Sequence, residues 1–319
     1  MVGKRDELKI GIAIPQLFLN GEVDTSEITS FLAKVESLGY DSAWVQDSVV
    51  AGRPHLEALP LLTYAAAFST RLKLGTSVML TAFRNPFFLA KELAAIDQLS
   101  KGRLIFGLGF GGMALNFPDG TQGDAYEAFG MSSKGRVTRF EEGIQLLKKL
   151  WTEEIVTFEG RFWQVKKLCV RLKPIQKPHP PIWFGGHAEA ALRRAARLGD
   201  GWMGAGYWST KAFKEEIKLL RRFLEEEGRD PDAFPLSKRV FVWVDGNKKR
   251  AAEKAREWIG RQYGDPDRGL EICVFGSEEE CADGLGEVVS QGIDLLMLNP
   301  MGDAEEQAER LVKDVIPKL

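Results

Sequence analysis

The chain predicts an α/β fold, a (β/α)8 barrel occupying all 319 residues as one domain. Three observations carry that prediction. Short apolar runs alternate with amphipathic stretches of helical period along the whole sequence, the pattern of parallel strands buried on both faces. Runs that precede a helix begin near residues 9, 43, 72, 103, 182, 201, 240 and 293, which makes eight units. The length also suits a single barrel.

Each element follows from local signals. KIGIAI at 9–14 is a strand stopped by Pro15, and Ile28, Phe31, Leu32, Val35 and Leu38 fall on one helical face closed by Gly39. AWVQ (43–46) is the second strand, with a helix over 56–68, and LKLGTSVML (72–80) is the third, with a helix over 88–99. The fourth strand covers 103–108. An irregular insertion, 109–133, follows it, and then a helix whose apolar face is Phe140, Ile144, Leu147, Leu150 and Trp151. A second insertion, a hairpin around Gly160, separates that helix from the fifth strand, 182–184. Strands at 201–203, 240–245 and 293–298 alternate with helices at 189–198, 211–227 and 248–259. Ser277 with Glu280 forms a capping box for the next helix, and an amphipathic helix with Leu311, Val312, Val315 and Ile316 closes the chain. KPIQKPHPP (173–181) could instead link two domains, but each would then hold only four strands.

Composition narrows the function. A net charge of −2 gives no general attraction to nucleic acid or anionic lipid, and 44% hydrophobic residues can build a large core. No signal-like or membrane-spanning apolar stretch is present, so a cytoplasmic enzyme acting on a small molecule is expected. Cys169, Cys273 and Cys281 form no paired motif and read as packing residues; His55, His179 and His187 lack ligand spacing, and no metal is expected. Trp44, Trp183, Trp202 and Trp243 fall in strands and are expected to fill the barrel or its rim.

The fourth strand ends in GLGFGG (107–112), which has the G-x-G-x-x-G spacing. A dinucleotide fingerprint needs those glycines to open a helix, and here they lead into MALNFPDGTQGD, so that reading fails. Either the glycines make a tight turn, or they let a flat ligand rest on bare backbone at the C-terminal end of a barrel strand.

With RLKLGTSVMLTAFRNPFFLAKELAAIDQLSKGR before it, this segment resembles the luciferase-like flavin-dependent oxidoreductases, barrels that bind FMN or the deazaflavin coenzyme F420. GYDSAWVQDS, RFEEGIQLLKKLWTEEIVTFEGRFWQV, KPIQKPHPPIWFGGHAEAALRRAARLGDGWM and FGSEEECADGLGEVVSQGIDLLMLNP extend the resemblance over nearly the whole chain. It implies that the amides of Gly185, Gly186 and His187 hold the cofactor's phosphate, though they could also form a plain strand-to-helix turn. It implies that Thr76, Ser77 and Val78 lie under the ring, with a cis peptide at Ser77–Val78, and that Gly109 belongs to the cofactor site. Gln46, Asp47 and Ser48 would face the reactive edge. Gln46, Asp47 and Ser77 are the candidate catalytic groups, Asp47 as a proton donor, as the residue that orients one, or as a simple cap. Arg136 would lie near the phosphate or the mouth, or be a solvated helix residue.

Two positions depart from the family pattern. Ser48 stands where many members carry a histidine, and Ala125 where many carry an acid before YEAFG. The resemblance implies a homodimer. The leading expectation is a monooxygenase using reduced FMN and oxygen, fed by a separate flavin reductase; hydride transfer with F420 is the alternative, and a flavin-binding protein without turnover is the third reading. Asp47 points toward the deazaflavin chemistry and the missing histidine toward oxygen.

Overall fold

The computed structural model describes residues 8–18, 21–48, 54–111, 114–116 and 122–319. Eight strands, β1 (Lys9–Ala13), β2 (Ser42–Val45), β3 (Lys73–Thr76), β4 (Leu104–Gly109), β5 (Ile182–Gly185), β6 (Gly201–Gly204), β7 (Leu236–Val244) and β8 (Leu295–Pro300), form one sheet. Their order is β5-β6-β7-β8-β1-β2-β3-β4, and β5 also pairs with β4, so the ring closes as a (β/α)8 barrel. The helices are α1 (Thr25–Ser37), α2 (Ala58–Phe68), α3 (Pro86–Leu99), α4 (Arg136–Thr152), α5 (Glu189–Leu198), α6 (Thr210–Glu226), α7 (Lys248–Tyr263), α8 (Glu278–Val289) and α9 (Ala304–Arg310). The chain gathers into two compact units whose boundaries cut through β2 and β5.

The first unit holds residues 1–15, 25–44 and 183–319. Its strands are nearly all buried, as the unbroken apolar runs require. Glycines make room for large rings: a Cβ on Gly11 would lie 2.6 Å from Trp44 Nε1, and one on Gly201 would lie 2.8 Å from Trp183 Nε1. The two indoles sit 6.3 Å apart. Trp202 departs from the expected filling role, because strand alternation turns it toward α6, where it stacks on Phe213 at 5.3 Å. Trp243 packs beside Phe241, Ile272 and Met301 with Lys254 Nζ over its ring at 4.8 Å. An unforeseen short strand, Val274–Gly276, pairs with the end of β7; three residues are too few for a periodicity signal. The capping box at Ser277 is present with both of its hydrogen bonds.

The second unit holds residues 16–24 and 45–182. The expected third strand is broken: Lys73–Thr76 ends, Ser77 and Val78 form a kink with a cis peptide, and Met79–Leu80 resume beside β4. Ser77 N donates to the Val45 carbonyl at 2.7 Å across the kink. The segment expected to be irregular contains a β-hairpin (Ala114–Asn116 with Gln122–Asp124) and one helical turn, Ala125–Ala128, capped by Asp124. Pro118 and Gly112 lie outside the described residues. The hairpin around Gly160 forms as expected and is anchored by the Glu142 carboxylate, which accepts from the amides of Arg161, Phe162 and Trp163. The proline-rich stretch is tied down: Gln176 N and Nε2 donate to the buried Asp97 carboxylate at 3.0 and 2.7 Å.

Candidate functional site

In the second unit, the end of β2 is organised by two buried polar groups. Gln16 grips the backbone of Gln46 at both ends, accepting from its N at 2.8 Å and donating to its carbonyl at 2.7 Å. Beside it, the Asp47 carboxylate is 2% exposed and is answered on several sides. Leu80 N donates to Oδ2 at 2.9 Å, and Arg84 reaches both oxygens through Nη2 at 3.0 Å. Arg84 also bonds the Glu57 carboxylate, whose other oxygen caps α2 through Leu59 N at 2.7 Å. Asp47 therefore fastens the segment that follows the kink at Ser77 and Val78, which is the work of a clamp. Arg84, Glu57 and Gln16 were not legible as site residues, since lone polar residues in loops and helix starts carry no spacing signal.

The glycine that ends β4 serves this same kink. A Cβ on Gly109 would lie 2.7 Å from Val78 Cγ2, so only hydrogen lets the valine seat against the strand. Gly111 has φ +85°. Thr76 is fully buried, and its hydroxyl donates to the Gly107 carbonyl at 2.5 Å, which ties β3 to β4. Ser77 and Val78 stay partly exposed. Arg136 begins α4 after Gly135 (φ +75°), its guanidinium 5.7 Å from the Phe110 ring. Among the described residues its buried Nε has no hydrogen-bond partner, and neither do the Tyr126 hydroxyl and the Thr81 hydroxyl. Burial raises the Tyr126 pKa, with the charges of Arg136 and Arg139 opposing. A small cleft in this unit is lined by Thr81, Arg84, Arg139, Phe140 and Trp163 among others, and no residue predicted for the site lines it.

In the first unit, β5 runs through Gly185 into a turn at Gly186 and His187 and then into α5. Gly186 has φ +115°, and a Cβ there would meet the Ala191 Cβ at 2.9 Å. The N-cap is Ala188, which has no side-chain acceptor to offer, so no cap side chain answers the first amides of α5. Trp202 Nε1 donates to the Gly186 carbonyl at 3.0 Å and fixes the turn. His187 enters with its side chain as well as its amide: Nδ1 lies 2.8 Å from Glu216 Oε1 on α6, and its ring is 4.8 Å from that of Trp208. Among the described residues its buried Nε2 and Glu216 Oε2 lack partners.

Two further buried cations stand side by side on β7 of the same unit. Lys238 on β7 is 2% exposed and donates to the carbonyls of Ala205 and Trp208, holding the loop after β6. Burial lowers its pKa to about 7, with Glu216 opposing the shift and Arg239 adding to it. Its neighbour Arg239 is buried too, with Nε on Asn299 Oδ1 at 3.0 Å. The cations of SKR interrupt an apolar strand, and that interruption was the signal available in the sequence.

Of the predicted residues, Gln46, Asp47, Thr76, Ser77, Val78, Gly109 and Arg136 fall in the second unit, and Gly185, Gly186 and His187 in the first. Among the described residues no cluster of three His, Cys, Asp or Glu could hold a metal, and no helix is long and apolar enough to cross a membrane.

Comparison with known proteins places this architecture. Residues 9–295 match the family described as luciferase-like monooxygenase. A protein of Intrasporangium calvum named F420-dependent glucose-6-phosphate dehydrogenase is 31% identical over 321 residues, covering 92% of this chain and 94% of its own. The structure of an F420-dependent secondary alcohol dehydrogenase in complex with an F420-acetone adduct superposes with a TM-score of 0.83 at 19% identity, covering 98% of this chain and 99% of that one. The monooxygenase RslO1 from Streptomyces bottropensis gives 0.79 at 21% identity, covering 97% and 99%. With the kink in the third strand, the glycine turn after the fifth and a family match from the first strand into the eighth, the chain belongs to the luciferase-like family of oxidoreductases.

Proposed function

We propose that the protein is a coenzyme F420-dependent oxidoreductase that transfers a hydride to or from a small organic substrate. The observation that carries this reading is the relative from Intrasporangium calvum, named as F420-dependent and similar over almost the full length of both chains. The residues present fit such a group. Gly186 leaves a cradle that any side chain would fill, and the uncapped start of α5 directs amides and the positive end of the helix dipole at an anion. The phosphate of the cofactor would be bound there by the amides around Gly186 and His187, with Glu216 holding the imidazole through Nδ1. Ser77 and Val78 would support the ring from the kink that Asp47, Arg84 and Gly109 keep in place. When bound, a deazaflavin supplies or accepts the hydride; the chain orients it, excludes water and leaves the substrate one face. Asp47 acts by position, since Arg84 and the Leu80 amide already take up its oxygens.

A second reading, FMN with oxygen and a separate reductase, is favoured by Ser48 standing in the histidine's place. Separate fluorescence titrations with F420 and with FMN distinguish the two. Tight binding of F420 and substrate-dependent change of its absorbance are expected. Tight binding of FMN alone would replace the first reading by the second, and binding of neither would remove both.

A further inference from the structure

Strand β7 carries two adjacent cations, Lys238 and Arg239, each less than a tenth exposed. Alternation sends them to opposite faces. Lys238 turns toward α6, its Nζ 5.3 Å from the Phe213 ring, and is answered by the two carbonyls described above. Arg239 turns the other way. Its Nε donates to Asn299 on β8 and its guanidinium carbon lies 4.8 Å from the Phe241 ring. Among the described residues no carboxylate faces this charge, and no acceptor takes up its two terminal amino groups.

The strand register gives its height. Gly185 pairs with Met203, Met203 with Ser237 and Gly204 with Lys238, so Arg239 stands two residues past the register partner of the end of β5 and one past that of the end of β6. It is therefore at the C-terminal rim, the end of a barrel where substrates bind. Phe241 continues the same face, with Tyr263 at 6.2 Å and Tyr207 tilted against Tyr263 at 4.5 Å. A buried guanidinium without a counter-charge is costly to retain, and replacing such a group by a well-packed apolar one is often stabilising. A fork of donors held at one edge by an amide oxygen and on its face by an aromatic ring is preorganised for a planar or tetrahedral oxyanion.

We propose that Arg239, oriented by Asn299, recognises an oxyanion of the substrate, phosphate or carboxylate, so that this enzyme acts on a small anionic molecule. The inference rests on the oxidoreductase reading only for calling that molecule a substrate. The test uses the purified full chain without cofactor, the Arg239→Met and Arg239→Lys variants, and calorimetric and thermal-shift titrations. The probes are inorganic phosphate, acetate, glucose 6-phosphate and, as the uncharged control, glucose.

An oxyanion probe should bind the wild type while glucose does not. Arg239→Met should lose roughly tenfold to a hundredfold in affinity, the factor one or two charge-assisted hydrogen bonds carry, and Arg239→Lys should lose less. Unliganded Arg239→Met should melt at or above the wild type, which a merely structural arginine would not allow. F420 affinity, measured in parallel, should be nearly unchanged in both variants. No oxyanion binding, equal binding by Arg239→Met, or a large drop in its melting temperature would overturn the proposal. A loss of F420 affinity with oxyanion binding intact would assign Arg239 to the cofactor and overturn it as well. Failure of the wild type to bind any flavin would instead strike the oxidoreductase reading and leave the oxyanion site standing.

Discussion

Replacing Arg84 by methionine tests whether Asp47 is a clamp. The Asp47 side chain is 2% exposed and Arg84 22% exposed, so the pair behaves as buried on the aspartate side. Removing one partner of a buried pair typically costs about 3–5 kcal/mol, because the remaining charge is left uncompensated. Asp47 would keep one donor, Leu80 N at 2.9 Å, which places the expected loss near the lower end, at about 3 kcal/mol. Glu57, 46% exposed, loses its half of the interaction at a cost of at most about 1 kcal/mol. The assay is urea unfolding of wild type, Arg84→Met, Asp47→Asn and the double variant. The double variant should lose about 1 kcal/mol or more less than the two single losses summed, since one removed charge relieves the need for the other. Arg84→Met should also weaken flavin binding, because Leu80 and the kink before it lose their anchor. A loss below about 1 kcal/mol with additive singles, the behaviour of an exposed pair, would refute the clamp.

Three other outcomes are expected. Gly186→Asp should abolish tight cofactor binding, since it puts a carboxylate and a strained backbone at the phosphate turn; unchanged affinity in the fluorescence titration would remove that turn from the site. Lys238 has a folded pKa of about 7 against an unfolded value near 10.4, so the unfolded chain binds the extra proton between them and stability rises with pH across that window. The stability of wild type relative to Lys238→Met should climb by up to about 1.4 kcal/mol per pH unit from pH 7 toward 10, and a flat difference would contradict the burial argument. Cys273 and Cys281 are buried with thiol pKa values pushed up to about 12, whereas Cys169 is exposed. A thiol reagent at pH 8 should therefore modify Cys169 in the native chain and reach all three in denaturant; rapid native labelling of all three would show the core to be open.

The eight strands, the positions of both insertions and the capping box were legible because hydrophobic period and cap chemistry are properties of neighbouring residues. The kink at Ser77 and Val78 and the glycine turn at 185–187 were legible only through resemblance. Their geometry depends on residues far along the chain, such as Val45 for Ser77 and Ala191 for Gly186. Gly109 was read as part of the cofactor site, and the structure adds that its missing Cβ makes room for Val78.

By itself the sequence determined the barrel, since burying eight apolar strands beneath amphipathic helices leaves few alternatives. Tertiary structure alone decided which polar groups answer one another. Asp47 meets Arg84 across 37 positions, His187 meets Glu216 across 29, and Arg239 meets Asn299 across 60. Burial sets the worth of a charge, and burial is fixed only when distant segments close around it. A lysine and an arginine that only interrupt an apolar strand in the chain, and a carboxylate that only ends one, become a loop anchor, a candidate oxyanion receptor and a clamp once water is excluded from them.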